Sequence, residues 1–295
     1  MSTHSPLGGH LAMLTFSLLV SFSFSFGSLV AKEIEPAVLT AIRFVISVAF
    51  LGGVAMVLGQ GLGLIFRGLW RWVAIGGLMA IYFVTMFEAL RLTTAVSTAA
   101  VFTLTPLMAA GLGLLVNRQK TDQATLIAIL IGGVGAVWVI FRADLARVLA
   151  FDVGWGEIIF FLGAICHAAV PAVTRKLRGA ATPLQAAFGA SLGALIVTAI
   201  YAAPAALATD FATLRPLVWW VAVYLGIMTT ALTFFLIQFA IPRLSPGKVM
   251  AYTYLVPSWV VLYDLGGGTT QPPLLFIGIG LTLLALALLL RPERV

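Results

Sequence analysis

The chain has 295 residues, of which 61% are hydrophobic and only 9% are charged, and its formal net charge is +7 at pH 7. This composition excludes an ordinary soluble globular domain, in which about a quarter of the residues are charged. The cations are scattered singly or in small groups between long apolar segments, which excludes a continuous basic surface for nucleic acid. The single cysteine, Cys166, excludes an internal disulfide and a cysteine-rich metal site.

The apolar segments predict ten transmembrane helices. A helix rises about 1.5 Å per residue, so about 20 apolar residues cross the hydrocarbon core of a bilayer. The predicted spans are 11–31, 36–58, 68–90, 95–116, 123–141, 155–174, 182–205, 216–241, 246–264 and 272–290. The longest connection, 142–154, is too short for a soluble domain. We therefore expect an all-α integral membrane protein whose main partner is the lipid bilayer.

The distribution of charge predicts the orientation in the membrane. With the N-terminus inside, the inner connections carry eleven Lys and Arg residues and the outer connections carry five, once Arg43 is left out because it lies within a span. Short connections rich in Lys and Arg stay on the cytoplasmic side. The sequence thus predicts cytoplasmic N- and C-termini and a multi-pass location in a bacterial inner (plasma) membrane.

The two halves of the chain resemble each other weakly. A shift of 151 residues aligns the third and fourth predicted spans with the eighth and ninth, and it places Pro106 on Pro257. Because each half holds an odd number of spans, the second half must enter the membrane from the opposite face. The sequence therefore predicts two inverted five-helix repeats, 1–147 and 148–295. Such repeats are typical of secondary transporters, which hold the substrate between the halves near the midplane.

Several short motifs carry a resemblance to a known family. The first span ends in FGSLVAKEIEP (26–36), followed by Arg43, and ALRLTTA (89–95) precedes LTP (104–106), a pattern repeated in 240–257. This order resembles the drug/metabolite transporter superfamily, EamA type, over essentially the whole chain. The family often has Trp in place of Phe26 and Gly-Glu in place of NRQKT (117–121). The segment NRQKT is similar to the corresponding segment of amino-acid exporters of the YddG type. The resemblance implies export of amino acids, with aromatic ones among the candidates.

Three prolines within spans predict helix interruptions. They are Pro106, Pro171 and Pro257. Proline has no amide hydrogen, and it frees the carbonyl four residues earlier. A freed carbonyl in a membrane either lines a wet cavity or is satisfied by a Ser or Thr side chain or a neighbouring helix. The match between Pro106 and Pro257 across the repeat favours the cavity.

Three ionisable residues within spans are candidates for gating or coupling. His167 lies in the middle of the sixth span, where it either lines a cavity and carries a proton or is an ordinary buried histidine. Arg43 and Glu88 fall at a similar depth in the outer third of the membrane. Opposite charges at matching depth predict an ion pair at an outer gate. The alternative for Glu88 is a proton or substrate site.

The other candidates for substrate binding are hydroxyl-bearing and aromatic side chains within the spans. They are Tyr82, Thr98, Phe102, Thr229, Thr233, Tyr252 and Tyr254. Hydroxyl groups can bind the polar groups of an amino acid, and rings can contact an apolar side chain. The alternative for each is ordinary helix packing. The sequence has no phosphate-binding loop, and its three histidines are too scattered for a metal site. We therefore expect no cofactor and no metal.

These observations favour one function over several others. The first hypothesis is a secondary transporter that exports amino acids by alternating access through a central cavity. An exporter of lipophilic drugs or other small metabolites is the alternative cargo, an intramembrane lipid-modifying enzyme is the second class of function, and a channel is the third. An intramembrane lipid-modifying enzyme would need a nucleophile coupled to a base, and the sequence identifies no such pair.

Overall fold

The computed structural model describes residues 6–118, 123–141, 143–146, 153–268, 270 and 272–289, and every regular element in these ranges is a helix. The α-helices are α1 (Pro6–Val30), α2 (Pro36–Val57), α3 (Gly63–Arg67), α4 (Leu69–Leu92), α5 (Ala95–Phe102), α6 (Thr105–Asn117), α7 (Gln123–Ile140), α8 (Trp155–Leu177), α9 (Pro183–Ala208), α10 (Pro216–Gly226), α11 (Thr233–Ala240), α12 (Pro246–Ala251), α13 (Val256–Gly266) and α14 (Leu275–Leu289). A π-helix, Ile227–Leu232, joins α10 to α11, and a 3₁₀-helix, Tyr252–Leu255, joins α12 to α13. Some of the Lys and Arg residues counted in the predicted charge distribution lie outside the described residues: Lys120, Arg142, Arg147, Arg291 and Arg294.

Six helical segments in the described part of the chain are long and apolar enough to cross a membrane. They are α1, α2, α4, α8, α9 and the continuous segment Pro216–Ala240. Three shorter apolar helices, α6, α7 and α14, accompany them. The chain is therefore an all-helical protein of multi-pass membrane type.

Prolines at the first helical positions account for several helix starts. Helices α2, α9, α10 and α12 each begin with proline, whose fixed φ suits the first turn and whose missing amide would be unpaired there in any case. At the start of α9, the Thr182 hydroxyl accepts the Gln185 amide while the Gln185 side chain accepts the Thr182 amide. This capping box satisfies two backbone donors.

Small residues permit close packing between the long helices. Helix α4 packs against both α8 and α9, and α7 packs against α14. Gly193 of α9 lies directly against the backbone of Trp72 in α4, and Gly163 of α8 faces the Thr85 side chain of α4. Helices in a membrane associate mainly by such close contacts, because lipid provides no hydrophobic force between them.

Polar contacts tie the connections together at each end of the bundle. At one end, which we call the Glu33 end, Glu33 pairs with Arg215 and Glu35 pairs with Arg91. At the opposite end, which we call the Arg175 end, Arg175 donates to the carbonyl groups of Ile241 and Leu244 at 2.6 and 2.7 Å. These two ion pairs join α1, α2, α4 and α10 through the residues at or beside their ends.

Candidate functional site

A small cavity lies at mid-depth between α1, α4, α8 and the segment Pro216–Ala240. Its lining residues are Phe16, Val20, Ser23, Met79, Tyr82, Phe83, His167, Thr229 and Thr233. Tyr82, His167 and Thr229 each lie about 15–20 Å along their helices from the Glu33 end, near the middle of a bilayer about 30 Å thick. The cavity volume is about 10 Å³, which is room for about one water molecule. We call it the central cavity.

Aromatic rings form one wall of the central cavity. The ring of His167 packs against Tyr82, Phe102 and Phe16, with centroid distances of 4.5, 4.8 and 6.3 Å. Nδ1 of His167 is buried and has no hydrogen-bond partner among the described residues. The sequence analysis singled out His167, Tyr82 and Phe102. The structure brings these three side chains together, with His167 and Tyr82 in the cavity lining and Phe102 packed against them.

The opposite wall of the central cavity comes from the π-helix. Hydroxyl groups of Thr229 and Thr230 both donate to the carbonyl of Leu225, at 3.1 and 2.8 Å, and Thr233 donates to the carbonyl of Thr229 at 2.8 Å. A π-helix contains an extra residue per turn and is frequent at functional sites. The sequence analysis named Thr229 and Thr233 as candidates, and both line the cavity, but it did not predict the π-helix that places Thr229 and Thr230 at mid-depth.

Arg43 of α2 lies directly behind the wall formed by the π-helix and Phe83. Its side chain is fully buried. Nε donates to the Thr230 hydroxyl at 2.8 Å, and Nη2 donates to the Thr229 hydroxyl at 2.9 Å. The guanidinium carbon lies 3.8 Å from the centroid of the Phe83 ring, at cation–π distance. Nη1 is buried without a hydrogen-bond partner among the described residues.

The predicted ion pair between Arg43 and Glu88 is wrong. Glu88 lies about one turn from the end of α4 and approaches Arg91 at 3.4 Å, and its side chain is 34% exposed. Arg43 instead points into the bundle and binds hydroxyl groups of the π-helix. The two residues share an approximate depth, but their side chains leave their helices in different directions, which depth alone could not indicate.

The prolines behave differently from one another. The fourth predicted span is broken at residues 103–104, just before Pro106, and the ninth contains the 3₁₀-helix before Pro257. Helix α8 continues through Pro171, so a break there was a wrong prediction. A proline removes one hydrogen bond from a helix. The loss at Pro171 does not interrupt α8, which packs against α4 and α6.

The carbonyl groups expected to open onto a cavity at the two broken spans are satisfied within the protein. The Thr105 hydroxyl donates to the Phe102 carbonyl at 2.7 Å, and the Thr253 carbonyl accepts the Val256 amide. The hydroxyl groups of Thr105 and Thr253 are 2.9 Å apart and link the two broken spans. The prediction that these carbonyl groups line a cavity was therefore wrong in this conformation.

Three predicted binding residues lie away from the central cavity. The Tyr254 hydroxyl donates to the Ile129 carbonyl of α7 at 2.6 Å, and the Tyr252 hydroxyl is hydrogen-bonded to Nδ1 of His10 at 2.9 Å. Thr98 donates to the carbonyl of Thr94, the residue before its helix begins. Conversely, sequence reasoning missed five lining residues: Phe16, Val20, Ser23, Met79 and Phe83. Of these, Phe83 carried a signal, because it matches Phe234 in the internal repeat.

Comparison with known proteins agrees with this architecture. The sequence model of the EamA-like transporter family matches residues 7–141 and again residues 154–291. The chain belongs to the EamA-like transporter family. It is also similar to a Bacillus subtilis (strain 168) protein called uncharacterized transporter YyaM, with 24% identity over 221 residues, which are 74% of this chain and 69% of the relative. A solved structure described only as a crystal structure of a protein shares the fold, with a TM-score of 0.73, 21% identity and 95% of each chain covered.

Proposed function

We propose that this EamA-like transporter is a secondary transporter that exports amino acids, including aromatic ones, across a bacterial inner membrane. The observation that carries the proposal is the composition of the central cavity. Hydroxyl groups of Ser23, Thr229 and Thr233 contribute to its lining, and so do the rings of Tyr82 and Phe83. Such a site suits a solute with a polar head and an apolar or aromatic side chain.

The proposed architecture has ten spans arranged as two inverted repeats, 1–147 and 148–295. The double match of the family model, once in each half, supports this division. The helix contacts support it too. The third span (α4) packs against the sixth (α8), and their counterparts in the other half, the eighth span (α10 and α11) and the first (α1), also pack against each other. In addition, α2 packs against its own counterpart α9, and α7 packs against its own counterpart α14. These pairings remain the same when the halves are exchanged, as an internal two-fold relation requires.

Transport through this site requires movement of the helices. A volume of about 10 Å³ holds about one water molecule, so an amino acid does not fit the cavity in this conformation. We propose that the two halves separate alternately at the Glu33 end and at the Arg175 end. The Arg175 end would be cytoplasmic, because it carries most of the Lys and Arg residues between helices.

The test is efflux from proteoliposomes preloaded with a mixture of labelled amino acids, with and without a pH gradient. We expect saturable, protein-dependent release that includes phenylalanine. Liposomes without protein are the first control, and Glu88→Gln is a matched control variant, because Glu88 pairs with Arg91 away from the cavity. If no amino acid is released and a lipophilic dye or drug is, the protein is a drug or metabolite exporter instead.

The same assay tests proton coupling. His167 contributes to the cavity lining and has an unpaired ring nitrogen within the described structure, so it is the proposed proton carrier if transport responds to a pH gradient. Efflux by His167→Ala would then lose its response to the gradient, whereas Glu88→Gln would keep it. A gradient response that survives in His167→Ala would refute this role.

A further inference from the structure

Arg43 is a buried cation that lacks an acidic partner in the described structure. The carboxylates of Glu33, Glu35 and Glu88 pair with arginines at the Glu33 end. Glu157 accepts hydrogen bonds from two hydroxyl groups near the same end. Among the residues that the structure describes, no carboxylate forms an ion pair with Arg43.

The groups around Arg43 compensate for the loss of water only in part. Two threonine hydroxyl groups and, at 3.4 Å, the Thr229 carbonyl accept hydrogen bonds, and the Phe83 ring faces the guanidinium. These partners are neutral, and Nη1 is left without a hydrogen bond among the described residues. A cation in a low-dielectric interior is costly unless an anion or a full set of hydrogen bonds accompanies it. The site therefore has an unused donor and an uncompensated positive charge.

The position of Arg43 connects this charge to the central cavity. Phe83 and Thr229 both contact the guanidinium, and both line the cavity. A modest displacement of Phe83, of the kind that a substrate-sized cavity requires, would open the guanidinium to the cavity while Thr229 and Thr230 keep their hydrogen bonds to it. A carboxylate is the complementary ligand, because guanidinium donors match the geometry of its two oxygens.

We propose that Arg43 binds the carboxylate of the transported solute, while the hydroxyl groups of Thr229 and Thr230 hold the guanidinium in position. This proposal rests on the proposed function and specifies it. The substrates would be carboxylic acids with an apolar or aromatic body, which would lie against the rings of Tyr82 and Phe83. An amine or amide of the same shape would be a poor substrate, because it offers the buried cation no negative charge.

The first part of the test uses the wild-type protein in proteoliposomes and four related solutes. Phenylalanine carries an amine and a carboxylate, and phenylpyruvate carries the carboxylate without the amine. Phenylalaninamide and phenethylamine carry the amine and lack the carboxylate, which is a neutral amide in the first and absent in the second. We expect transport of solutes that contain a carboxylate and at least about tenfold weaker transport of the two that lack it. Equal transport of phenylalanine and its amide would overturn the proposal without the need for any variant.

The second part uses substitutions at Arg43 and its anchor. We expect Arg43→Gln to lose about 10- to 100-fold in phenylalanine transport and to lose its preference over the amide. Arg43→Lys keeps the charge and should retain part of that preference, and Thr230→Val should weaken it by removing one anchor. Melting temperature in detergent distinguishes unfolding from lost recognition. An Arg43→Gln protein that folds and keeps the wild-type preference would refute the proposal.

The outcomes separate this site from the broader function. Transport of phenylpyruvate but of no amino acid would refute amino-acid export and leave the role of Arg43 standing. Transport of amines and amides as well as amino acids would support export and refute the role of Arg43. A wild-type protein that transports none of the carboxylates would refute both.

Discussion

The closest approach of α4 and α9 provides a sharp test of the packing that positions the central cavity. A Cβ atom on Gly193 would lie 1.9 Å from the carbonyl oxygen of Trp72 and 2.3 Å from its carbonyl carbon. These are backbone atoms, so no side-chain rotation relieves the clash. Since ordinary contact begins at 3.4 Å, the two helices would have to separate by about 1.5 Å. We expect Gly193→Ala to destabilise the protein by about 1–3 kcal/mol, the usual cost of overpacking.

The matched control is Gly53→Ala in α2, where an added Cβ would meet nothing within 4 Å. Thermal unfolding of the purified proteins in detergent should give a lower midpoint for Gly193→Ala and a midpoint near that of the wild type for Gly53→Ala. Helix α4 also carries Tyr82 and Phe83 to the cavity, so efflux should fall in the first variant only. Equal midpoints for both variants would show that α4 and α9 do not meet at this contact.

Two other measurements address the tyrosines and the Glu33 end. Tyr254→Phe removes a buried hydrogen bond to the Ile129 carbonyl, so it should cost about 1 kcal/mol of stability without changing efflux. The Tyr82 hydroxyl has no hydrogen-bond partner in the described structure, so Tyr82→Phe should alter efflux and keep the melting temperature. The reverse pattern would contradict this assignment. Hydrogen bonding from Arg215 holds the pKa of Glu33 below its ordinary value of 4.5, so the stability that this pair provides is complete above pH 4.5 and is lost as the pH falls through the lowered value. Glu33→Gln should therefore have a lower melting temperature than the wild type at neutral pH, and the two should melt alike in strong acid. A difference that persists in strong acid would show that the lower melting temperature does not come from loss of this ion pair.

Hydrophobic length was sufficient to predict the helical class and the approximate helix positions. The predicted spans 36–58 and 68–90 differ from α2 and α4 by two residues or fewer at each end. The proline signal was less reliable, because proline chemistry is local and the continuity of a helix also depends on its neighbours. Pro106 and Pro257 accompany a break and a 3₁₀-helix, respectively, whereas α8 passes through Pro171 intact.

Depth along a span could be estimated from the sequence, but rotation about the helix axis could not. His167 was expected in the middle of its span, and it lines the central cavity together with Tyr82. Tyr254 was also expected well inside its span, yet its side chain turns toward α7. The same limitation explains the wrong pairing of Arg43 with Glu88. An apolar helix gives little amphipathic signal to indicate which face meets its neighbours, because lipid and protein interior are both apolar.

The small volume of the central cavity and the incomplete bonding of Arg43 have a common consequence for transport. An amino acid does not fit this conformation, so it binds only states in which the cavity is wider, and it shifts the population toward them. In those states a carboxylate can reach the guanidinium and complete its hydrogen bonding, as the proposal for Arg43 requires. In the narrow conformation the neutral hydroxyl groups of Thr229 and Thr230 occupy part of that role. Binding of the carboxylate at Nη1, which is unpaired among the described residues, with both hydroxyl groups still holding Nε and Nη2, would thus link substrate binding to the widening of the cavity between α4 and the π-helix.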